Sequence, residues 1–398
     1  MASDARRVLI LGGRPTLLES ARSFGMRVTH IQRPGEFPLR YQELSDETLL
    51  ADFTRVDDLL PVVRAWHAEH PFSQVFSPVE HGLIPAALIR EALALGGNPV
   101  ATTQVLRDKA AMRARLATSP LATVPFAECK DLTELEDFAQ HSGYPIIIKP
   151  KDGIRSKSVY RVSCDMQVRE AVDRIHEDGY DSFLAEKLIA GIELSAEAIS
   201  SGGVHRLVSI TEVFTDDTHM ETGHVTPARI TEAEATAVTS YVTRFLDLVG
   251  VVEGPTHTQL FLTADRGPVI IESHDRSGLD GEPELTLLTF GHDLTRLAFS
   301  VPAGLAELPG QLCWAPRQAA ANWFVMGPAG RLASVSGTDA ARSAPGVIAF
   351  RMAQEHRLIG RVCAASDYLG SVVTVGDSPD EAIERARGAA GLVGLEYA

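Results

Sequence analysis

The 398-residue chain is 45% hydrophobic and 22% charged, with a formal net charge of −15. That length exceeds one small core and implies two or three domains. The acidic balance argues against a nucleic-acid backbone as main partner, because phosphate contacts want a basic surface. Cys129, Cys164, Cys313 and Cys363 are scattered, with no CxxC pair and no metal-ligand spacing, and read as reduced core thiols. No window approaches the length of a membrane span, so a soluble, cytoplasmic protein without a membrane partner is expected.

The N-terminal part alternates strand and helix. Residues 8–11 read as a buried-type strand, Gly12-Gly13-Arg14-Pro15 as a turn, 16–24 as a helix and 26–31 as the next strand. Gln74-Val75-Phe76 is a further strand, followed by Ser77-Pro78-Val79-Glu80 and a helix through 86–89. Such alternation predicts a parallel sheet with ligand loops at the strand C-termini. Gly12-Gly13 could seat a phosphate at the helix start. The spacing is not GxGxxG, and Gln32-Arg33 rather than an acid follow the second strand, so a plain tight turn is the expectation.

Asn98-Pro99 marks a boundary, followed by one expected helix containing Asp108-Lys109-Ala110-Ala111-Met112-Arg113, its basic residues on a solvated face. A helix over 131–141 stops at Gly143. The strand 144–149 places Lys149 at its end. The loop Lys151-Asp152-Gly153-Ile154-Arg155-Ser156-Lys157-Ser158 can wrap an anion with backbone N–H groups, hydroxyls and charge, or form a basic surface loop. After a strand at 159–162 and a helix at 166–176, two strands at 182–189 and 190–199 are expected to join at an Ala190-Gly191 turn. Glu193 and Glu197 then share a face, either as exposed carboxylates on an edge strand or as ligands for a ribose hydroxyl or a metal.

A hairpin pairs 256–262 with 269–272 around Asp265-Arg266-Gly267-Pro268, and Ser273-His274-Asp275-Arg276-Ser277-Gly278 follows. Side chains two apart share a strand face, so His257 lies with Gln259 and Glu272 with His274. An Asp265-Arg266 loop sets Gln259 opposite Glu272, and an Arg266-Gly267 loop sets it opposite His274. Either register gathers a polar cluster with Arg276 just beyond, on strands that are otherwise apolar.

In order, Asp108-Lys109, Lys149-Pro150, the Gly/Ser loop, Glu186-Lys187-Leu188-Ile189, Gly191-x-Glu193, His257-x-Gln259 and Glu272-x-His274-x-Arg276 resemble an ATP-grasp enzyme of the carboxylate–amine ligase kind, L-amino acid or dipeptide type. The resemblance spans nearly the whole chain. It implies a multidomain α/β and α+β fold: a Rossmann-like pre-ATP-grasp domain over 1–104, then a two-lobed ATP-grasp domain over 105–310. The small lid lobe would cover about 120–188, and 311–398 would complete the large lobe. It further implies that Lys109 and Lys149 contact the nucleotide phosphates and base edge, and that Ser156 and Ser158 belong to a mobile loop over the phosphates. Glu186, Lys187 and Leu188 would present backbone to adenine, and Glu193 would take the ribose hydroxyls. Glu272, Gln259 and His274 would occupy the metal positions, with ATP and Mg²⁺, or Mn²⁺ in its place, as cofactors. Arg276 would hold an acyl phosphate, and His224, in Gly223-His224-Val225-Thr226-Pro227, would lie on the substrate side.

Two metal positions depart from the family pattern, with Gln259 where glutamate is usual and His274 where asparagine is usual. Magnesium wants hard oxygen ligands, whereas imidazole suits transition metals. Three arrangements are open: Glu272 bridging two metals with water completing the shells, Asp275 replacing a missing oxygen, or a weakened site that binds nucleotide without turnover. The C-terminal strand 318–324, the Gly327-Pro328-Ala329-Gly330 turn, the strand 367–373 and a capped helix through 381–386 correspond to a lobe that closes the acceptor side in related ligases. Arg317 is either a surface arginine or a contact for a substrate carboxylate. The expected function is ATP-dependent ligation of a small carboxylate, an amino acid above all, to an amine, with release of ADP and phosphate. A nucleotide-binding regulatory or scaffold protein is the alternative, and a dinucleotide oxidoreductase on the Gly12-Gly13 turn is a weaker one. Related ligases are often homodimers, though nothing in the sequence sets the oligomeric state.

Overall fold

A continuous apolar run such as Val8-Leu9-Ile10-Leu11 suits a strand covered on both faces, as parallel strands are. The computed structural model describes residues 6–36, 40–151, 158–216, 220–353, 358–359 and 368–398. In it, β1 (Arg7–Leu11), β2 (Arg27–Gln32), β3 (Glu47–Leu50) and β4 (Gln74–Phe76) form a parallel sheet of order β3-β2-β1-β4. Val8 and Ile10 pack against Leu18 and Ala21 on one face, and Leu9 and Leu11 against Ala86 and Ile89 on the other. Gly12 and Gly13 both have positive φ, and a Cβ on either would strike Val79 or Pro78. The pair is thus a tight turn packed on the loop after β4, as its sequence suggested.

The next sheet is antiparallel, built from β5 (Phe126–Cys129), β6 (Ile146–Lys149), β7 (Tyr160–Val162) and β8 (Phe183–Lys187) in the order β5-β8-β6-β7. Helices Leu132–Ser142 and Asp165–Glu177 cover it through Leu135, Ala139, Val168 and Ile175. The chain then enters an eight-stranded sheet through β9 (Ile192–Ser201), β10 (Val204–Thr215), β11 (Glu221–Thr226), β12 (Gly254–Thr263) and β13 (Gly267–His274). Past residue 318 come β14 (Ala319–Val325), β15 (Gly330–Ser336), β16 (Val347–Met352), β17 (Leu358–Ile359), β18 (Gly370–Gly376) and β19 (Gly394–Tyr397). The eight strands run β13-β12-β9-β10-β11-β14-β18-β16, while β17, β15 and β19 form a small separate sheet. Among the described residues no helix is long and apolar enough to cross a membrane.

Three local expectations change in the fold. First, β8 and β9 do not form a hairpin: they belong to different sheets, and 188–191 is the bridge between two lobes. Nor is β9 an edge strand, since it runs between β12 and β10. Second, the single helix after Asn98-Pro99 is two, Val100–Arg107 and Lys109–Ala117, broken at Asp108. Asp108 has φ −106 and ψ 107, and its Oδ1 accepts from the N–H groups of Ala110 and Ala111 at 2.8 and 3.0 Å. An aspartate there serves the orphan donors of a new helix better than it continues an old one.

Third, neither two-residue hairpin loop occurs. Thr263 pairs with Gly267 around a three-residue loop, and a bulge after Gln259 leaves Ile271 as an extra residue on β13. The bulge reverses the facing of β13. Ile270, opposite Leu260, joins the core under helix Glu232–Val249, whereas Glu272 comes opposite Gln259 on the other face. On β9 the even-numbered Leu194, Ala196 and Ala198 also enter that core. This leaves the odd-numbered Glu193, Ser195 and Glu197 on the face that looks toward the other lobe.

Asp108→Ala should lower stability by about 1 kcal/mol, the usual worth of an N-cap. Chemical denaturation would show this as a shifted midpoint with an unchanged slope.

Candidate active site

A cleft opens between the four-stranded lid sheet and the large sheet. Ile147, Pro150, Leu188, Phe261 and Ile271 make its apolar slot, and Lys109, Lys149, Glu193 and Glu272 are its polar lining. An apolar slot with a few convergent polar groups is the usual form of a small-molecule site. The slot is also lined by residues 187–189, where β8 runs into the inter-lobe bridge.

Glu186 anchors the cleft floor. It is buried and ion-paired to both Arg113, itself fully buried, and Lys149. Burial alone would raise the Glu186 carboxyl, but the two cations outweigh it and hold it below the ordinary range. Burial lowers Lys149 despite its partner. Arg113 also donates through Nη2 to the Ile271 carbonyl at 3.0 Å, tying lid and large sheet together. Lys109 Nζ lies 2.7 Å from Glu272 Oε2. The Lys187 ammonium turns away and donates to the Gly143 and Tyr144 carbonyls at 3.0 and 2.9 Å, so only its backbone faces the slot.

Carboxylates crowd the next stretch. Burial, then Glu221 and Glu272, push Glu193 up to about 8. Gln259 Nε2 donates to Glu221 Oε1 at 3.4 Å, and Glu221 Oε2 sits 3.1 Å from His224 Nε2. That contact overcomes burial and raises His224 above its ordinary value. His224 also meets Phe324 edge-on, with ring centroids 5.3 Å apart, and Phe324 stacks on Tyr368. The C-terminal strands thus wall this end.

His274 stands between two carboxylates, with Nε2 3.3 Å from Glu272 Oε1 and Nδ1 3.3 Å from Glu80 Oε1. Arg276 Nε donates to Glu80 Oε1 at 2.7 Å, and Arg107 pairs with the same carboxylate. Glu80 therefore sits well below the ordinary carboxylate range: burial opposes its charge, but His274, Arg276 and Arg107 prevail. Asp275, which one reading of the metal site invoked, accepts through Oδ2 from Thr103 Oγ1 at 2.6 Å. Deeper still, His257 Nδ1 lies 2.6 Å from Glu197 Oε1 and 3.4 Å from Glu282 Oε2.

Of the residues singled out from sequence, Lys109, Lys149, Glu186, Lys187, Leu188, Glu193, Gln259 and Glu272 line one cleft. His274, Arg276 and His224 lie beyond it, toward Glu80 and Glu221. Ser158 has φ 60 beside the cleft residue Val159, with its hydroxyl buried and unpartnered among the described residues. Ser156 lies outside the described residues. Arg317 is exposed and lies over Gly291. Sequence reading set Lys109 and Arg113 on a solvated helix face, which their burial against Glu272 and Glu186 corrects; it passed over Phe261, Glu221 and Glu282, and gave Glu80 no role. Arg113 carried a signal, being four residues after Lys109 on one helix face. Glu80 and Glu282 join the site only through tertiary packing.

The family model for the ATP-grasp N-terminal domain matches residues 18–97, that for the ATP-grasp domain residues 142–278, and that for the L-amino acid ligase C-terminal domain 2 residues 323–398. D-alanine–D-alanine ligase of Cupriavidus necator is 27% identical over 216 residues, covering 51% of this chain and 64% of that enzyme. Alanine–anticapsin ligase of Bacillus subtilis is 24% identical over 246 residues, covering 55% of this chain and 51% of that enzyme. The chain thus aligns with less than two thirds of either relative. The crystal structure of an L-amino acid ligase from Bacillus licheniformis shares the fold over 100% of both chains, with a TM-score of 0.84 at 23% identity. The chain belongs to the ATP-grasp superfamily. Within it, the C-terminal domain is the one described for L-amino acid ligases, and the two curated relatives are ligases.

The raised Glu193 carboxyl makes stability depend on pH. The folded chain keeps a proton that an unfolded carboxyl, ordinarily at 4.5, has released. This contribution is complete below the ordinary value and is lost as pH rises toward about 8. In nucleotide-free protein, Glu193→Gln should flatten the fall of melting temperature across that interval. An unchanged slope would assign the dependence to other groups.

Proposed function

We propose that the chain is an ATP-dependent ligase that activates the carboxylate of an amino acid as an acyl phosphate and transfers the acyl group to an amine, releasing ADP and phosphate. The observation that carries this reading is the order of groups along one face of β9, β12 and β13. The apolar slot comes first, then Glu193, then Glu272 with Lys109, and finally His224 and Arg276 beside their carboxylates. The ligase names of the relatives support an amino acid as the acid.

Phosphoryl transfer needs positioning and charge neutralisation more than covalent chemistry from the protein. Lys109 and Lys149 are held in the cleft lining by Glu272 and Glu186 and can exchange part of those contacts for phosphate oxygens. Glu193 accepts ribose hydroxyls. Arg276, oriented by Glu80, neutralises the developing acyl phosphate, and His224 stands on the substrate side with Phe324. The wall formed by β14 and Tyr368 keeps water from a reactive intermediate.

Magnesium is usually held by one or two carboxylates plus substrate phosphates, with water completing the shell. Glu272 and the amide oxygen of Gln259, opposite each other on adjacent strands, fit that demand. These two residues would hold the ion, which would supply charge neutralisation for the transferred phosphoryl group. His274, with one ring nitrogen toward Glu80 and the other toward Glu272, orients these two carboxylates instead of serving as a ligand. Nucleotide binding without turnover is the second reading, favoured only by the missing carboxylate at Gln259.

Mixtures of amino acids with ATP and Mg²⁺ should release ADP only when an acid and an amine acceptor are both present. Arg276→Ala should cut kcat about a hundredfold or more, the scale for losing one charge stabiliser, with ATP affinity little changed. Tight ATP binding with no substrate-dependent ADP release under Mg²⁺ or Mn²⁺, together with turnover in Gln259→Glu, would favour the second reading.

A further inference from the structure

We propose that Glu197, His257 and Glu282 form a separate cation site for a divalent transition-metal ion of the Zn²⁺ or Mn²⁺ class. On the site face of the large sheet, Glu193 pairs with Phe261, Ser195 with Gln259, and Glu197 with His257. The triad therefore sits one strand repeat, about 7 Å, beyond Gln259. Glu282 reaches it from the first turn of helix Glu282–Phe290.

The geometry suits an ion. One ligand atom from each residue lies within 4.8 Å of the other two, and all three side chains are buried. Nδ1 of His257 is 2.6 Å from Glu197 Oε1 and 3.4 Å from Glu282 Oε2. Bonds of about 2.1 Å in a tetrahedral site set neighbouring ligands about 3.4 Å apart, so the second contact already fits and the first must open by less than about 1 Å. The three atoms also face a common point beside Gly278. A Cβ there would lie 2.3 Å from Glu282 Oε2, 2.4 Å from Glu197 Oε1 and 2.9 Å from His257 Nδ1.

Outer contacts hold the ligands in place. The Gly278 N–H donates to both Glu197 oxygens, at 2.9 and 3.1 Å, and Ser195 Oγ donates to Glu282. Such support orients the first ligands of metal sites. Charge points the same way: two buried carboxylates face one imidazole, and a buried unpaired charge is costly. The neighbouring cations Arg276 and His224 are engaged by Glu80 and Glu221. With the imidazole neutral and both carboxylates ionised, as metal ligation requires, a dication would neutralise the triad, and two oxygens with one imidazole nitrogen favour Zn²⁺ or Mn²⁺ over Mg²⁺.

The inference does not depend on the ligase reading, and its test uses no turnover. Full-length protein stripped with a chelator and dialysed is titrated with Zn²⁺ by calorimetry, and with Co²⁺ while its visible absorption is followed, both without nucleotide. We expect one tight equivalent and Co²⁺ bands from low-symmetry nitrogen and oxygen ligation. Glu272→Gln should keep that equivalent, whereas Glu197→Gln and His257→Asn should each weaken it at least a hundredfold. Circular dichroism would check the fold of each variant. Gly278→Ala, whose added carbon falls among the three ligands, gives a second way to block the ion without removing a charge. The proposal is overturned if wild type binds no stoichiometric ion, if Glu272→Gln abolishes binding, or if folded Glu197→Gln and His257→Asn bind as wild type does.

Discussion

The buried pairing of Glu186 with Arg113 and Lys149 is the interaction on which the cleft depends. It joins a lid strand to the Lys109–Ala117 helix, and Arg113 extends the connection to the β13 backbone. Charges this far from water persist only when paired and hydrogen-bonded. Removing any one partner would strand the others in the floor of the slot. The same network fixes Lys149, so the interaction that ties the two sheets together also sets a cation in the cleft lining.

Around that anchor, strand alternation separates two tasks. One face of β9 and β12 supplies Leu194, Ala196 and Leu260 to the core beneath helix Glu232–Val249. The other presents Glu193, Gln259 and Phe261 to the cleft and Glu197 and His257 beyond it, and the bulge at Ile271 brings Glu272 onto that face. The result is a graded row: apolar at the base end, crowded with carboxylates in the middle, and mixed in charge toward Arg276 and His257. Glu80 anchors the far end from another domain by gathering Arg107, His274 and Arg276, so the pre-ATP-grasp domain is part of the site's electrostatics.

Much of this was legible in the residues. The alternating N-terminal elements, the ordered lysines, Glu193 and the polar hairpin face all carry local periodicity, and local periodicity is what a sequence displays directly. Arg113 was legible too, four residues from Lys109, but it read as solvated because nothing nearby marks its burial. Glu80, Glu221 and Glu282 left no such trace, since each meets its partners across long separations in the chain. The break at Asp108 was open to capping chemistry, and the bulge at Ile271 was not.

By itself, then, the sequence determined the fold class and the residues that line one cleft, Lys109, Lys149, Glu186, Glu193, Gln259 and Glu272 among them, because these follow from spacing and residue type along single elements. Only the tertiary structure decided that β8 and β9 bridge two lobes and that Asp275 turns toward Thr103. It also decided that His274 stands between Glu80 and Glu272, and that Glu197, His257 and Glu282 converge. The physical reason is common to all four. A strand's pattern shows which residues share its face, but which carboxylate meets which cation depends on packing between elements distant in the chain.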